Sequence, residues 1–312
     1  MRCWGAAGAQ LQFFSESTRL DWMREVLELA KKDDLEGAPH GVGLAVKGLQ
    51  CSFDCLDDGQ LNRLLTAAIP HSIVNGHCLG AFGSAFRRLA PEARQGLVWK
   101  AVDLAARNPQ AATEAIIGLA AGLVHLAPED RATLYEAAMT LGGKGGTLAR
   151  AELVAQDPNE SESRQVATTL LIENYADHPP EFRWHQFDPL VRAFPRMSQA
   201  DRDRVIELLG EEQGGYATIN AGKLIPVVAG LDDNASMGKL YDICLRTQWG
   251  SKYAGLDAIS RAFAHLKPAR QARTLDLIEA GLGESDDPSL RTRAIEALGE
   301  VAASLRSVPA MA

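Results

Sequence analysis

Residues 116–131 read IIGLAAGLVHLAPEDR, and the same phrase returns along the chain. It stands as LGAFGSAFRRLAPEAR at 79–94, more loosely as FDPLVRAFPRMSQADR at 187–202, and more loosely still as LDAISRAFAHLKPARQ at 256–271. The last apolar residue before the turn serves as an anchor: Leu89, Leu126, Met197 and Leu266. Three residues earlier stand Phe86, Leu123, Phe194 and Phe263, and seven earlier stand Phe82, Leu119, Leu190 and Ile259. Four earlier come the small residues Ala85, Gly122, Ala193 and Ala262. Spacing of 3, 4 and 7 places all of these on one face of a helix, with the small residue leaving room for a close neighbour.

The template finds fainter copies at Leu49–Ser52–Phe53–Leu56, Leu224–Val227–Val228–Leu231 and Leu298–Val301–Ala302–Leu305. In chain order the anchors recur 33, 37, 71, 34, 35 and 39 residues apart, so one degenerate unit is expected within 140–175, with an irregular loop at QDPNESES. After each anchor a second helix begins. Pro91, Pro128 and Pro268 sit where a first turn tolerates a missing N–H, and Glu92 and Glu129 complement the positive helix end. Leu64, Leu97, Leu134 and Val205 give that helix its own buried stripe. LIPVVAG at 224–230 is the only β-branched cluster, and it fits the helical template. A lone hairpin of about 35 residues cannot bury its apolar face, so neighbours must stack. The reading is all-α: a right-handed α-solenoid of two-helix repeats. It divides into an N-terminal cap helix region at 1–44, a continuous array at 45–306 with an irregular unit near 140–190, and a tail at 307–312.

Composition narrows the function. The 312 residues carry 32 Lys+Arg against 40 Asp+Glu, a net charge of −8, with 46% hydrophobic residues. This suits an ordered globular protein and opposes general nucleic-acid binding, which needs dense positive charge. No apolar run reaches the ~20 residues that span a bilayer. Five cysteines without regular spacing (Cys3, Cys51, Cys55, Cys78, Cys244) read as reduced thiols, and the N-terminal stretch lacks a secretory pattern, so a cytoplasmic location is expected.

Catalytic motifs are scarce. Cys51, Cys55, His71, His77 and Cys78 loosely imitate a zinc spacing, but a long helical segment separates the pairs and packing of small thiols accounts for them. His77-Cys78 are sequence neighbours, which do not face each other on a helix. GGKGG at 142–146 lacks the order of a phosphate-binding loop and reads as a flexible connection. No catalytic, cofactor-binding or metal residue is assigned, and no cofactor is expected. The recurring Arg94, Arg131 and Arg202 read as serving each unit, through pairs to adjacent carboxylates or helix ends, rather than a partner. Contact residues are sought where the repeat is irregular. HPPEFRWHQFDP at 178–189 offers Phe182, Arg183, Trp184, His185 and Phe187, and TQWGSKY at 247–253 offers Trp249, Lys252 and Tyr253; aromatics with Arg dominate interface hot spots.

The two-helix units resemble HEAT/armadillo-type repeats. The phrase Gly-Leu-x-x-x-Leu followed by Leu-x-Pro-Glu-x-Arg, best copied around 119–131, also resembles repeats of helical type III effectors from plant-pathogenic bacteria. That resemblance implies a non-enzymatic scaffold that binds host proteins, delivered into the host cell by a type III system. Two other readings stand beside it: a HEAT-like-repeat enzyme on nucleic acid, similar to DNA glycosylases that grip duplex DNA in a basic groove, and a structural adaptor of the bacterium itself.

Overall fold

The computed structural model describes residues 13–30, 38–179, 183–212, 215–231, 233–245, 255–283 and 288–307. Every regular element among them is helical. The chain forms two compact units, Met1–Thr168 and Thr169–Ala312.

The first unit runs α1 (Glu16–Ala30), α2 (Ala38–Leu49), α3 (Asp58–Ala68), α4 (His77–Gly80), α5 (Pro91–Arg107), α6 (Pro109–Leu119), α7 (Pro128–Thr140) and α8 (Gly143–Gln156). The helix α9 (Glu162–Ala176) spans the division. The second unit continues with α10 (Phe187–Ala193), α11 (Gln199–Glu211), α12 (Gly215–Gly230), α13 (Asn234–Cys244), α14 (Leu256–Arg261), α15 (Pro268–Gly283) and α16 (Pro288–Ser307).

The repeated phrase has one local geometry. Its first helix tightens into a 3-10 turn, as at Gln50–Cys55, Ala120–His125, Phe194–Arg196 and Phe263–His265. The anchors Leu56, Leu126, Met197 and Leu266 then turn extended, each donating its N–H to the carbonyl three residues back. Tightening the last turn in this way occupies carbonyls that an ending helix leaves free. In α5 and α7 the next helix starts on Pro91 or Pro128, with Glu92 or Glu129 in its first turn.

The stripe is buried where the spacing predicts it. Phe82, Phe86, Leu119, Leu123, Leu190, Phe194 and Ile259 are at most 1% exposed, and the second-helix positions Leu64, Leu97, Leu134 and Val205 match them. Of the small residues, Gly122 leaves room for a neighbour as expected, and Gly118, one turn before it, does the same. A Cβ added to Gly118 would lie 2.4 Å from Gly80 Cα, and one added to Gly122 would lie 2.5 Å from the Phe86 ring. The first helices α4 and α6 of these two units therefore touch backbone to backbone.

Hydrogen bonds also tie neighbouring helices together, joining residues about one repeat apart. In the first unit Asn108 donates to the Ile73 carbonyl at 2.8 Å, and the Gly76 N–H donates to Glu114 at 3.1 Å. In the second, Lys223 donates to Asp188 at 2.6 Å and Lys239 to Asp203 at 2.8 Å. The degenerate unit within 140–175 consists of α8 and α9, joined by an irregular loop at Asp157–Ser161.

Two expectations are corrected. GGKGG is not a free loop: Gly142 caps α8, Gly143 turns the chain at φ +62°, and Gly145 and Gly146 lie in the first turn, packed on Thr113 and the Leu141 carbonyl. In α16 the template holds only in part: Val301 is buried as expected, but the buried face is rotated away from Leu298 and Leu305. Ala294, Ala297, Val301 and Ser304 are buried, whereas Leu298 and Leu305 are about half exposed. The cause is local. Ser304 Oγ accepts the Ala264 N–H at 3.0 Å, and the small alanines allow close approach on that side.

Candidate functional site

In the second unit, α11 and α13 flank an open groove of about 530 Å³. Each helix is held by its own cap. Ser198 Oγ accepts the Asp201 N–H at 3.2 Å to start α11, and Asp233 accepts the Ser236 N–H at 3.0 Å to start α13. Burial alone would raise the Asp233 carboxyl, but the hydrogen bonds from Ser236 hold it below its ordinary range. Val205, Ile206, Leu208 and Leu209 turn α11 inward, and Met237, Leu240, Tyr241 and Ile243 do the same for α13.

The groove floor is Ile206, Gly210 and Ile243, and its walls carry Glu207, Glu211, Asp242 and Lys239. Lys239 is tied to Asp203 across the two helices, and that hydrogen bond raises its ammonium above the ordinary lysine value. Among the described residues the ion pairs of the three wall carboxylates are long: Arg204 lies 3.6 Å from Glu207 and 3.8 Å from Glu211, Arg183 lies 3.8 Å from Glu211, and Arg270 lies 3.9 Å from Asp242. The result is a trough of mixed polarity, with Ile206 and Ile243 almost sealed beneath three carboxylates. An Arg or Lys side chain fits it chemically, its stem on the isoleucines and its head among the carboxylates.

Of the sequence-selected contact residues, Arg183 reaches the edge of this groove through Glu211. Phe182, Trp249, Lys252 and Tyr253 fall outside the described residues. Trp184 and His185 belong to the 3-10 turn Arg183–Gln186, and their side chains are outside those described. Arg183 is buried; its Nε donates to the His178 carbonyl and its Nη2 to the Ala176 carbonyl, both at 2.8 Å, closing the end of α9. Phe187 is fully buried, 5.4 Å from the Tyr175 ring. The structure thus brings Arg183 and Phe187 together around Tyr175. There the Tyr175 hydroxyl donates to Glu212, whose carboxyl is raised by burial.

Sequence reading missed the groove because its walls come from helices about a repeat apart. The available signal was Glu207 and Glu211, one turn apart on an exposed helix face.

The repeated arginines cap helices. Arg94 donates to the Leu89 carbonyl at 2.9 Å and to the His125 carbonyl at 2.5 Å, and Arg202 donates to those of Phe194 and Pro195. Arg88 does the same for Phe53 and Leu56, which satisfies orphan carbonyls at the negative helix end. Arg131 instead lies 3.7 Å from the Asp157 carboxylate.

Around His77 and Cys78, burial, then Glu114, pushes the Cys78 thiol up to about 12, so little thiolate exists near neutrality. Burial, then Lys47, lowers His77, against an opposing pull from Glu114. Among the described residues no group of three or more His, Cys, Asp or Glu is placed to hold a metal ion. No helix among them is long and apolar enough to cross a membrane. Comparison with known proteins finds no matching family model, curated protein or solved structure.

Proposed function

We propose that the helical units stack as a right-handed α-solenoid and act as a non-enzymatic protein-binding scaffold, with the α11–α13 groove receiving a basic segment of the partner. The observation that carries this reading is the groove itself: an isoleucine floor under three carboxylates whose ion pairs among the described residues are long. Stacking is supported by hydrogen bonds one repeat apart and by the glycine contacts between α4 and α6. The carboxylates argue against a groove that grips DNA, whose phosphates would meet like charge. The resemblance of the repeated phrase to type III effectors makes the partner a host protein, and a translocation reporter fused to the chain tests that delivery.

The groove is tested by calorimetry with a short Arg/Lys-rich peptide and an acidic control of the same length. The basic peptide binds, weakens as salt rises, and loses about tenfold or more in affinity to a Glu207→Lys/Glu211→Lys double variant. Both changes are at exposed positions, so the fold is retained. Equal binding of both peptides, or binding indifferent to the double variant, removes the groove from the account. Binding of duplex DNA at low salt in place of the peptide would favour the nucleic-acid reading.

A further inference from the structure

A second cavity, of about 260 Å³, lies in the first compact unit. One wall is a face of α7, where Pro128, Arg131 and Tyr135 recur at helical spacing; the other is the irregular segment from Asp157 to Ser163. This is where the repeat breaks, and the break changes what the repeated arginine does. Arg94 and Arg202 each direct Nε at a backbone carbonyl, whereas Arg131 Nε is buried with no hydrogen-bond acceptor. Its Nη1 lies 3.7 Å from Asp157, a contact longer than a hydrogen bond.

Asp157 is already committed. It is 1% exposed, and it accepts the Tyr135 hydroxyl at 3.3 Å and the Asn159 N–H at 3.0 Å. Burial, then the Asp157 charge, raises the Tyr135 phenol, so it remains a donor. The Nε is sealed off, but the side chain is 18% exposed, so the two terminal nitrogens are the donors left for the cavity, and end-on they match a carboxylate. The walls are not simply cationic, however. Arg131 lies beside Asp157, and Glu160 also lines the cavity at its rim, its side chain 92% exposed and 3.6 Å from Arg164. A plain anion would be opposed there. A ligand that brings a carboxylate to Arg131 and a positive group toward Glu160 satisfies both, and Ser161 and Ser163 add hydroxyls along the same wall. The volume lies below the roughly 300–1,000 Å³ of pockets for drug-sized ligands, which restricts the occupant to a small molecule.

We propose that this cavity binds a free α-amino acid, its carboxylate on Arg131 and its ammonium facing Glu160. The site is in a different compact unit from the α11–α13 groove and is independent of it.

The test is thermal unfolding and calorimetry on the full chain with a panel of L-amino acids. Acetate, ethylamine and inorganic phosphate serve as single-charge controls. At least one amino acid raises the unfolding midpoint saturably while the controls do not. Arg131→Gln lowers that affinity about tenfold or more. Should Arg131→Gln fail to fold, Glu160→Gln at the exposed rim gives the second reading, with a severalfold loss of affinity and an unchanged midpoint in the absence of ligand. The proposal is overturned if no amino acid binds, if acetate or phosphate binds as well as the amino acids, or if the folded variants bind as tightly as the parent chain.

Discussion

The segment Pro109–His125 and the terminal helix α16 have nearly the same apolar spacing but different surroundings. In the first, the whole stripe is covered: Leu119 and Leu123 are sealed, and Gly118 and Gly122 lie against Gly80 and Phe86 of the preceding unit. In α16 the apolar residues cover about half the circumference, and only the part bearing Ala294, Ala297, Val301 and Ser304 is buried. Ile295, Leu298 and Leu305 stay about half exposed, and a Cβ at Gly299 would meet nothing within 4 Å. Periodicity tells which residues share a face. Whether that face is buried depends on a neighbour, and a helix pattern does not contain its neighbour.

Substitutions can break the comparison at either end. The largest effect is expected at Phe86→Ala, which empties a fully buried ring site against Gly122; a loss of about 3–5 kcal/mol should be seen in chemical denaturation followed through the first unit. Next comes Ser304→Ala, which leaves the Ala264 N–H without its acceptor and should cost about 1–3 kcal/mol. Hydrogen exchange at Ala264 should rise in that variant; unchanged exchange would mean that Ser304 does not fix the rotation of α16. The smallest effect is expected at Leu298→Ser. On a covered stripe it would be severe, but on this open side it should stay within about 0.5 kcal/mol apart from a slight propensity change. A large destabilisation there would show that the open side of α16 is covered in solution.

The same contrast explains what was legible beforehand. The stripe, the proline-started second helices and the helical reading of LIPVVAG could be read because each is local, a matter of spacing and of what a first turn accepts. GGKGG was misread because composition reports flexibility, whereas Gly145 and Gly146 are small so that Thr113 and the Leu141 carbonyl can approach. The capping arginines were assigned the right kind of work, since a residue present in several units is best explained by a need of each unit. The groove was hidden. Glu207 and Asp242 are separated by about a repeat, and only packing of α11 beside α13 makes them face one trough. Arg183 illustrates the converse: its residue type suggested a contact surface, yet two backbone carbonyls at the end of α9 occupy it.

Close backbone contact between α4 and α6 holds their two units together, and one substitution made at two glycines tests it. Gly118→Ala places a methyl 2.4 Å from Gly80 Cα and should destabilise the chain by about 1–3 kcal/mol. Gly299→Ala, in the open middle of α16, should instead stabilise by about 0.5–1 kcal/mol through helix propensity. Opposite signs, measured by denaturation under one condition, are the predicted result. If both substitutions stabilise the chain, the glycine contact between units is not present in solution.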